Sequence, residues 1–288
     1  MRSLSASHSV LSELIGSMVV AFMVALPMPM AAQTDYYNTD AGRPITVEDA
    51  YATERYAFEL QLAPLRLERS NGGLYTWEVE PEIAYGILPR THIEAGVPIE
   101  YRDRGPAGKT VGAAGLNVSM LHNLNAETSI PAFGIAGELL LPFGGLAPDN
   151  AYFSAKGIAT RTFTWARFHL NTRYTFGKAP VTPPLGEESA GGDLSRWLLG
   201  LAIDKASPLR SMLVTAESFV TEPIQEDGDA QWNVGAGIRY QASPRLALDG
   251  GFGKRLTGDD QGWFLTFGMA RAFAIRSLLP GAARARTY

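Results

Sequence analysis

The sequence predicts an all-β protein, a single antiparallel transmembrane barrel of about 12 strands. Three observations carry this expectation. Apolar and polar residues alternate with period two, most clearly in the run from Trp232 to Phe273. There Trp232, Val234, Ala236, Ile238 and Tyr240 share one face, with Asn233, Gly235, Gly237 and Arg239 on the other. Aromatic residues close the apolar faces near their ends, as in interfacial girdles. The connections also alternate between short and long, an asymmetry that a soluble sandwich has no reason to show.

Residues 1–32 have the pattern of a signal peptide. The apolar run from Leu14 to Leu26 is shorter than a spanning helix needs, and Ala31 and Ala32 offer small residues for cleavage. Residues 33–53 lack sustained alternation and are rich in Asp, Thr and Gly, so they are expected to form a periplasmic N-terminal segment or a small plug. The barrel is expected over 54–276, with a C-terminal tail at 277–288.

Within the barrel, alternation and turn residues place strands at Ala57–Glu68, Leu74–Leu88, Thr91–Asp103, Thr110–Asn123, Ile130–Pro142 and Tyr152–Arg161. Six more follow at Thr164–Phe176, Arg196–Lys205, Ser211–Thr221, Gln231–Gln241, Arg245–Arg255 and Gly262–Phe273. Most reach the roughly 9–11 residues that a tilted spanning strand requires. The weakest boundary lies at Thr162 and Phe163, where Tyr152–Phe176 reads almost as one element. Connections at Pro89, after Asn123, at Thr162, from Ala206 and from Ala242 are short; the others are longer and more acidic, above all Lys178–Ser195. That long connection is either an inward constriction or a disordered loop, and Asp227, Asp229, Asp259 and Asp260 read as solvated loop charge.

Composition narrows the chemistry. Hydrophobic content of 46% with mean hydropathy of −0.03 excludes a helical membrane protein but suits a barrel, where only alternate residues meet lipid. Without cysteine there are no disulfides, zinc-thiolate sites or thiol nucleophiles. A net charge of −4 with no basic patch gives no sign of nucleic-acid binding.

The second strand decides which face points where. Tyr75, Trp77, Val79, Ile83, Tyr85 and Ile87 lie on one side, and Thr76, Glu78, Glu80 and Glu82 on the other. Consecutive unpaired carboxylates are intolerable in a soluble core and ordinary in a wet lumen. The seventh strand repeats the logic, with Phe168, Leu170, Tyr174 and Phe176 facing lipid and Arg167, His169, Asn171 and Arg173 facing inward. The candidate lumen set is therefore Glu78, Glu80, Glu82, Glu94, Glu100, Arg167, His169, Asn171, Arg173 and Arg239. The candidate girdle is Tyr75, Trp77, Tyr85, Phe176, Trp232, Tyr240 and Trp263. Two states of the lumen stay open: an acidic lining that favours cations, or a closed network in which the glutamates pair with Arg167, Arg173, Arg239 and other inward bases. His169 with Asn171 suggests a hydrolase dyad, but no Gly-x-Ser-x-Gly accompanies it, so no enzyme is expected. His92 and His122 show no metal-ligand spacing, and neither metal nor cofactor is expected.

Three segments carry a family resemblance: PAFGIAGELLLPFG from Pro131, ARFHLNTRYTFG from Ala166, and GLAIDKASPLRSMLVTAESF from Gly200 together with WNVGAGIRYQASPRLALDGGFG. They span roughly the last half of the chain, which resembles the bacterial outer-membrane family named for the MetA pathway of phenol degradation. The chain departs from that pattern at Gly112-Ala113-Ala114-Gly115, where no Asp follows, and in continuing past Phe273. The resemblance implies an outer-membrane barrel that passes small hydrophobic or aromatic compounds. Together these features make the expected role passive passage of a small molecule across a bacterial outer membrane; the alternative is a closed barrel with a structural, adhesive or lipid-contacting role. The expected partners are outer-membrane lipid, the permeant and the barrel-assembly machinery.

Overall fold

The structure is a computed structural model that describes residues 38–70, 73–103, 105–179, 194–207, 209, 211–224, 229–258 and 261–275. The expected signal peptide, the tail from 277 and most of the 178–195 connection lie outside them, as do Asp227, Asp259 and Asp260. Twelve antiparallel crossings form one closed sheet. They are β1 (Phe58–Arg69), β2 (Tyr75–Leu88), β3 (Thr91–Gly96 continued by Ile99–Asp103) and β4 (Lys109–Ala113 continued by Leu116–Asn123). Then come β5 (Ala132–Leu141), β6 (Tyr152–Thr162), β7 (Arg167–Phe176) and β8 (Ser195–Ala206). The last four are β9 (Met212–Pro223), β10 (Gln231–Ser243), β11 (Leu246–Arg255) and β12 (Trp263–Phe273).

Closure comes from β12 pairing with β1, from Phe58 opposite Phe273 to Arg69 opposite Trp263, while β1 also pairs with β2. The ring leaves no sheet edge, which is what a strand protein in lipid requires. The breaks in β3 and β4 lie side by side at Pro98 and Gly115. Proline cannot donate to the ladder, and the wall is kept intact by Val97 N–H to Pro81 O (3.2 Å) and Ala114 N–H to Pro98 O (2.8 Å). The narrow boundary between β6 and β7 is a real turn, closed by Phe163 N–H to Ala166 O at 2.9 Å. In β1 the register shifts between Leu62 and Leu65, so buried Glu59 and Gln61 face inward below the irregularity and Arg66 and Glu68 above it.

The two faces separate as period-two alternation demands. Trp77, Phe176, Trp232 and Tyr240 are 41–50% exposed on the outside. Outer rings gather at both ends: Phe58 stacks on Tyr85 at 4.4 Å near the short turns, and Phe153 on Phe176 at 5.9 Å near the long loops. Tyr75, Trp77, Trp232 and Trp263 lie toward the long loops, with Tyr85 and Tyr240 toward the short turns.

Inside, buried charge is paired. The Arg167 guanidinium grips Asp204 with Nε to Oδ1 at 2.9 Å and Nη2 to Oδ2 at 2.7 Å, and His169 Nε2 reaches the same carboxylate at 2.8 Å. Removing one partner of such a set strands the others away from water, at a cost of about 3–5 kcal/mol. Asp204→Ala is expected to lower barrel stability by that amount, read from the urea midpoint in micelles; a loss below about 1 kcal/mol would contradict the pairing.

Candidate functional site: a lumen crossed by the N-terminal segment

Residues 38–57 run inside the ring, and side chains of the wall satisfy their backbone. Thr46 and Val47 donate N–H to Glu217 Oε2 at 2.8 and 2.9 Å. Asn171 makes a reciprocal pair with Glu48, accepting its N–H at 2.9 Å and donating Nδ2 to its carbonyl at 2.8 Å. Ala50 N–H donates to Thr160 Oγ1 at 3.0 Å, Asn123 Nδ2 donates to Ala50 O at 2.9 Å, and Thr266 Oγ1 donates to Pro44 O at 2.8 Å. These partners come from β4, β6, β7, β9 and β12, so the segment is tied around the circumference. Extended backbone inside a wall needs such partners, because its own amides and carbonyls have no ladder.

The wall is also shaped for the segment. A Cβ on Gly86 would lie 2.0 Å from Glu54 O, one on Gly200 2.6 Å from Val47 Cγ2, and one on Gly251 2.2 Å from Pro44 O. Gly237 and Gly134 seat Pro44 and Ala50 in the same way. These glycines allow the segment's backbone to approach the sheet closely. In the sequence they look only like a bare polar face; without knowing what packs on that face, nothing marks them as a seat.

Charge completes the attachment. Arg43 pairs with Asp40, with Glu59 at 3.2 Å and with Asp249 at 3.5 Å, while Arg239 reaches Asp40 at 3.1 Å. Burial pushes the Asp40 carboxyl up, but Arg43 and Arg239 outweigh it and hold the group below the ordinary carboxylate range. Burial raises Asp49 to about 6 in spite of Arg167 and His169 nearby. Lys156 of β6 bridges Glu48 at 3.2 Å and Glu138 of β5 at 3.3 Å.

The segment lies between two cavities. Toward the long loops is a vestibule of about 720 Å³, and toward the short turns a smaller space of about 280 Å³; Asp40 and Tyr51 border both. Among the described residues, ten carboxylates and five Lys or Arg side chains line the vestibule. Glu78, Glu80, Glu82, Glu94 and Glu100 all face it from β2 and β3, the first three on successive inward positions. Glu80 accepts from Asn117 Nδ2 at 2.6 Å, Glu94 from Ser119 Oγ at 3.0 Å, and Glu100 from Arg102 Nε at 2.5 Å. Arg173 and Asn171 also border the vestibule, Arg173 donating to Ser195 Oγ at 2.7 Å. Arg167 borders the lower space, and His169 and Arg239 are 1% exposed. Of the closed-network alternative, the pairing of Glu100 with an inward base, Arg102, is present, whereas Arg167 holds Asp204 and Asp49, and Arg239 holds Asp40 and Asp249. The ladder lies on a different arc of the wall, which sequence alternation cannot reveal.

Sequence reasoning missed Asp204, Glu217, Lys156 and Thr160, although extending period two along β6, β8 and β9 places each of them inward. It also missed an inward apolar patch of Leu198, Phe219 and Phe264, over which the Arg66 guanidinium stacks at 4.0 Å. His169 and Asn171 do not act as a dyad. Nδ1 of His169 meets Thr160 Oγ1 at 3.0 Å and Nε2 meets Asp204, but Thr160 is fully buried and already accepts the Ala50 amide. The hydroxyl has no open approach for a substrate, so the relay is a clamp. Among the described residues no group of His, Asp and Glu is arranged to hold a metal ion.

No family model matches the chain, and no curated protein does, so the resemblance to the phenol-degradation family is not confirmed. Solved structures do match. An outer membrane channel from Pseudomonas putida F1 superposes with a TM-score of 0.52 at 12% identity, over 78% of this chain and 98% of that one. The KdgM porin gives 0.49 at 12% identity over 75% and 99%, and the CymD monoaromatic hydrocarbon channel 0.42 at 9% over 77% and 89%. At these identities the likeness is one of fold, and of these three the Pseudomonas channel carries it.

Glu217 Oε1 has no hydrogen-bond partner, and Oε2 holds two amides alone. Glu217→Ala leaves those amides unpaired in a buried place, at about 1–3 kcal/mol each. Amide exchange at Thr46 and Val47 is expected to accelerate roughly tenfold or more. Unchanged protection would mean that the segment is held by other contacts.

Proposed function

We propose that this chain is an outer-membrane channel for passive entry of small molecules, held shut at rest by its N-terminal segment. One observation carries the proposal: vestibule, segment and lower cavity succeed one another along a single lumen. The apolar outer band with rings at both ends supports residence in a membrane, and the short turns, near which the segment enters, would face the periplasm. Passage requires the segment to shift, because its backbone occupies the middle of the ring.

The vestibule's excess of carboxylates favours cations by raising their local concentration. The patch of Leu198, Phe219 and Phe264 adds an apolar surface on the wall, so a small organic cation with a ring or short apolar portion fits better than a neutral hydrocarbon.

Planar-bilayer recording of the mature protein tests this. Gly86→Val places its Cβ where the Glu54 carbonyl lies, with Glu54 and Thr53 of the segment as its nearest neighbours, so it is expected to unseat the segment and raise the open fraction by roughly tenfold. A folded Gly86→Val protein, verified by heat-shifted gel mobility, that stays silent would overturn the plug. In the open pore, joint Glu78→Gln, Glu80→Gln and Glu82→Gln should lower the cation-to-anion permeability ratio at least about twofold. An unchanged ratio would remove these carboxylates from the conduction path.

A further inference from the structure

We infer that His92 is a pH-operated latch on the N-terminal segment, released when its ring takes a second proton. The inference rests on the segment acting as the plug. Its basis is the direction of one hydrogen bond. Thr53 donates its backbone N–H to His92 Nδ1 at 3.0 Å, and the Thr53 hydroxyl lies 3.1 Å from the same nitrogen. A backbone amide can only donate, so Nδ1 must be bare and the ring neutral, with its proton on Nε2. Protonation puts an N–H on Nδ1 and leaves two donors facing each other. The Thr53 hydroxyl can turn round and accept; the amide cannot, and it loses its protein partner beside the lower cavity, which Thr53 lines.

The other described histidines lack this property. His122 Nδ1 meets the Thr91 hydroxyl at 2.8 Å, and His169 Nδ1 meets the Thr160 hydroxyl. A hydroxyl can donate or accept, so both contacts tolerate either charge state. Among the described residues, His92 is the one whose ring nitrogen accepts from the segment's backbone.

The surroundings admit protons, and a charged ring would also attract Asp40 and Glu48 of the segment, a pull that the loss of the Thr53 bond must outweigh. His92 is 5% exposed as a residue yet borders the vestibule, so protons can reach it. Glu94 of its own strand lies with Oε1 3.7 Å from Nε2. Glu82 from β2 and Asp40 and Glu48 from the segment border the same space. The cations behind them, Arg43 on Asp40 and Lys156 on Glu48, are already paired; neighbouring β4 presents Ser119 and Leu121 to the vestibule.

Position makes the latch effective. His92 stands opposite Gly86 in the β2–β3 register, and Gly86 is where the segment joins the wall. Tyr56 N–H donates to Gly86 O at 2.7 Å, and Gly86 N–H to Ala57 O at 3.0 Å. Residues 54–57 therefore stay fixed as a hinge, while loss of the Thr53 contact frees the chain on the N-terminal side. Tyr56 already holds a left-handed conformation there, with φ at 68°.

The test is conductance of the full mature chain at about pH 7.5 and about pH 5. Wild type is expected to show an open fraction roughly tenfold higher at the acid value. His92→Gln offers a side-chain oxygen that accepts the Thr53 amide and does not titrate, so it should stay closed at both. Gly86→Val should conduct at both. If Gly86→Val conducts while wild type ignores pH, the latch is wrong and the plug stands. If His92→Gln opens in parallel with wild type, another group carries the response and the latch is again wrong. Silence of folded Gly86→Val at both values removes the plug and the latch together.

Discussion

The pairing of β12 with β1 is the contact on which the rest depends. An open twelve-strand sheet would leave two rows of unpaired amides and carbonyls, which lipid cannot satisfy. Once the ring closes, every strand has an inside and an outside, and period-two alternation becomes a radial sorting rule. Residues that would be errors in a soluble core become the ordinary content of the interior: Glu59, Arg102, Arg167, Asp204, Glu217 and Arg239 are all under 10% exposed. Closure thus creates the demand that each buried charge find a counter-charge or hydrogen bond.

The N-terminal segment is where much of that demand is met. Glu217, Asn171, Thr160 and Asn123 would otherwise face a lumen with only water to bond; instead they hold backbone groups of residues 46–50. The dependence runs in both directions. The segment's own amides have no sheet to join, and the glycines at 86, 134, 200, 237 and 251 let it approach the wall closely enough to reach those side chains. This mutual satisfaction distinguishes a seated segment from a strand of chain that merely passes through.

What the sequence made legible follows from how local each signal is. Alternation involves neighbours two residues apart, so strand positions, the even number of crossings and the opposed faces of β2 and β7 could be read directly. The split at Phe163 was the hardest local feature, because its turn is four residues with two aromatics, and outward aromatics also mark strands. Pairing across the lumen is a different kind of fact. Arg167 and Asp204 are adjacent because β7 and β8 are, which a register argument could have reached. Arg239 and Asp40 are 199 residues apart and meet only because the segment folds back inside, which no periodicity encodes. Inward glycines gave the opposite of a signal, since they suggest an emptier lumen.

The segment also sets the electrostatics of the lumen it crosses. Residues 38–57 contribute four carboxylates and two arginines, a surplus of two negative charges. Asp40, Glu48 and Asp49 border the vestibule beside the glutamate ladder, but they also hold Arg239, Lys156 and Arg167 of the wall. Withdrawing the segment removes acid from the centre, but Arg167 keeps Asp204 and Lys156 keeps Glu138, and Glu59 and Glu217 of the wall are released at the same level. The vestibule of β2 and β3 keeps its glutamates, because their partners Asn117, Ser119 and Arg102 belong to the wall. The open path would then stay acidic from mouth to waist. A solute with a single positive charge meets carboxylates at both levels, in keeping with the cation preference of the vestibule. Selectivity in such a channel is a property of the moving segment as much as of the fixed wall.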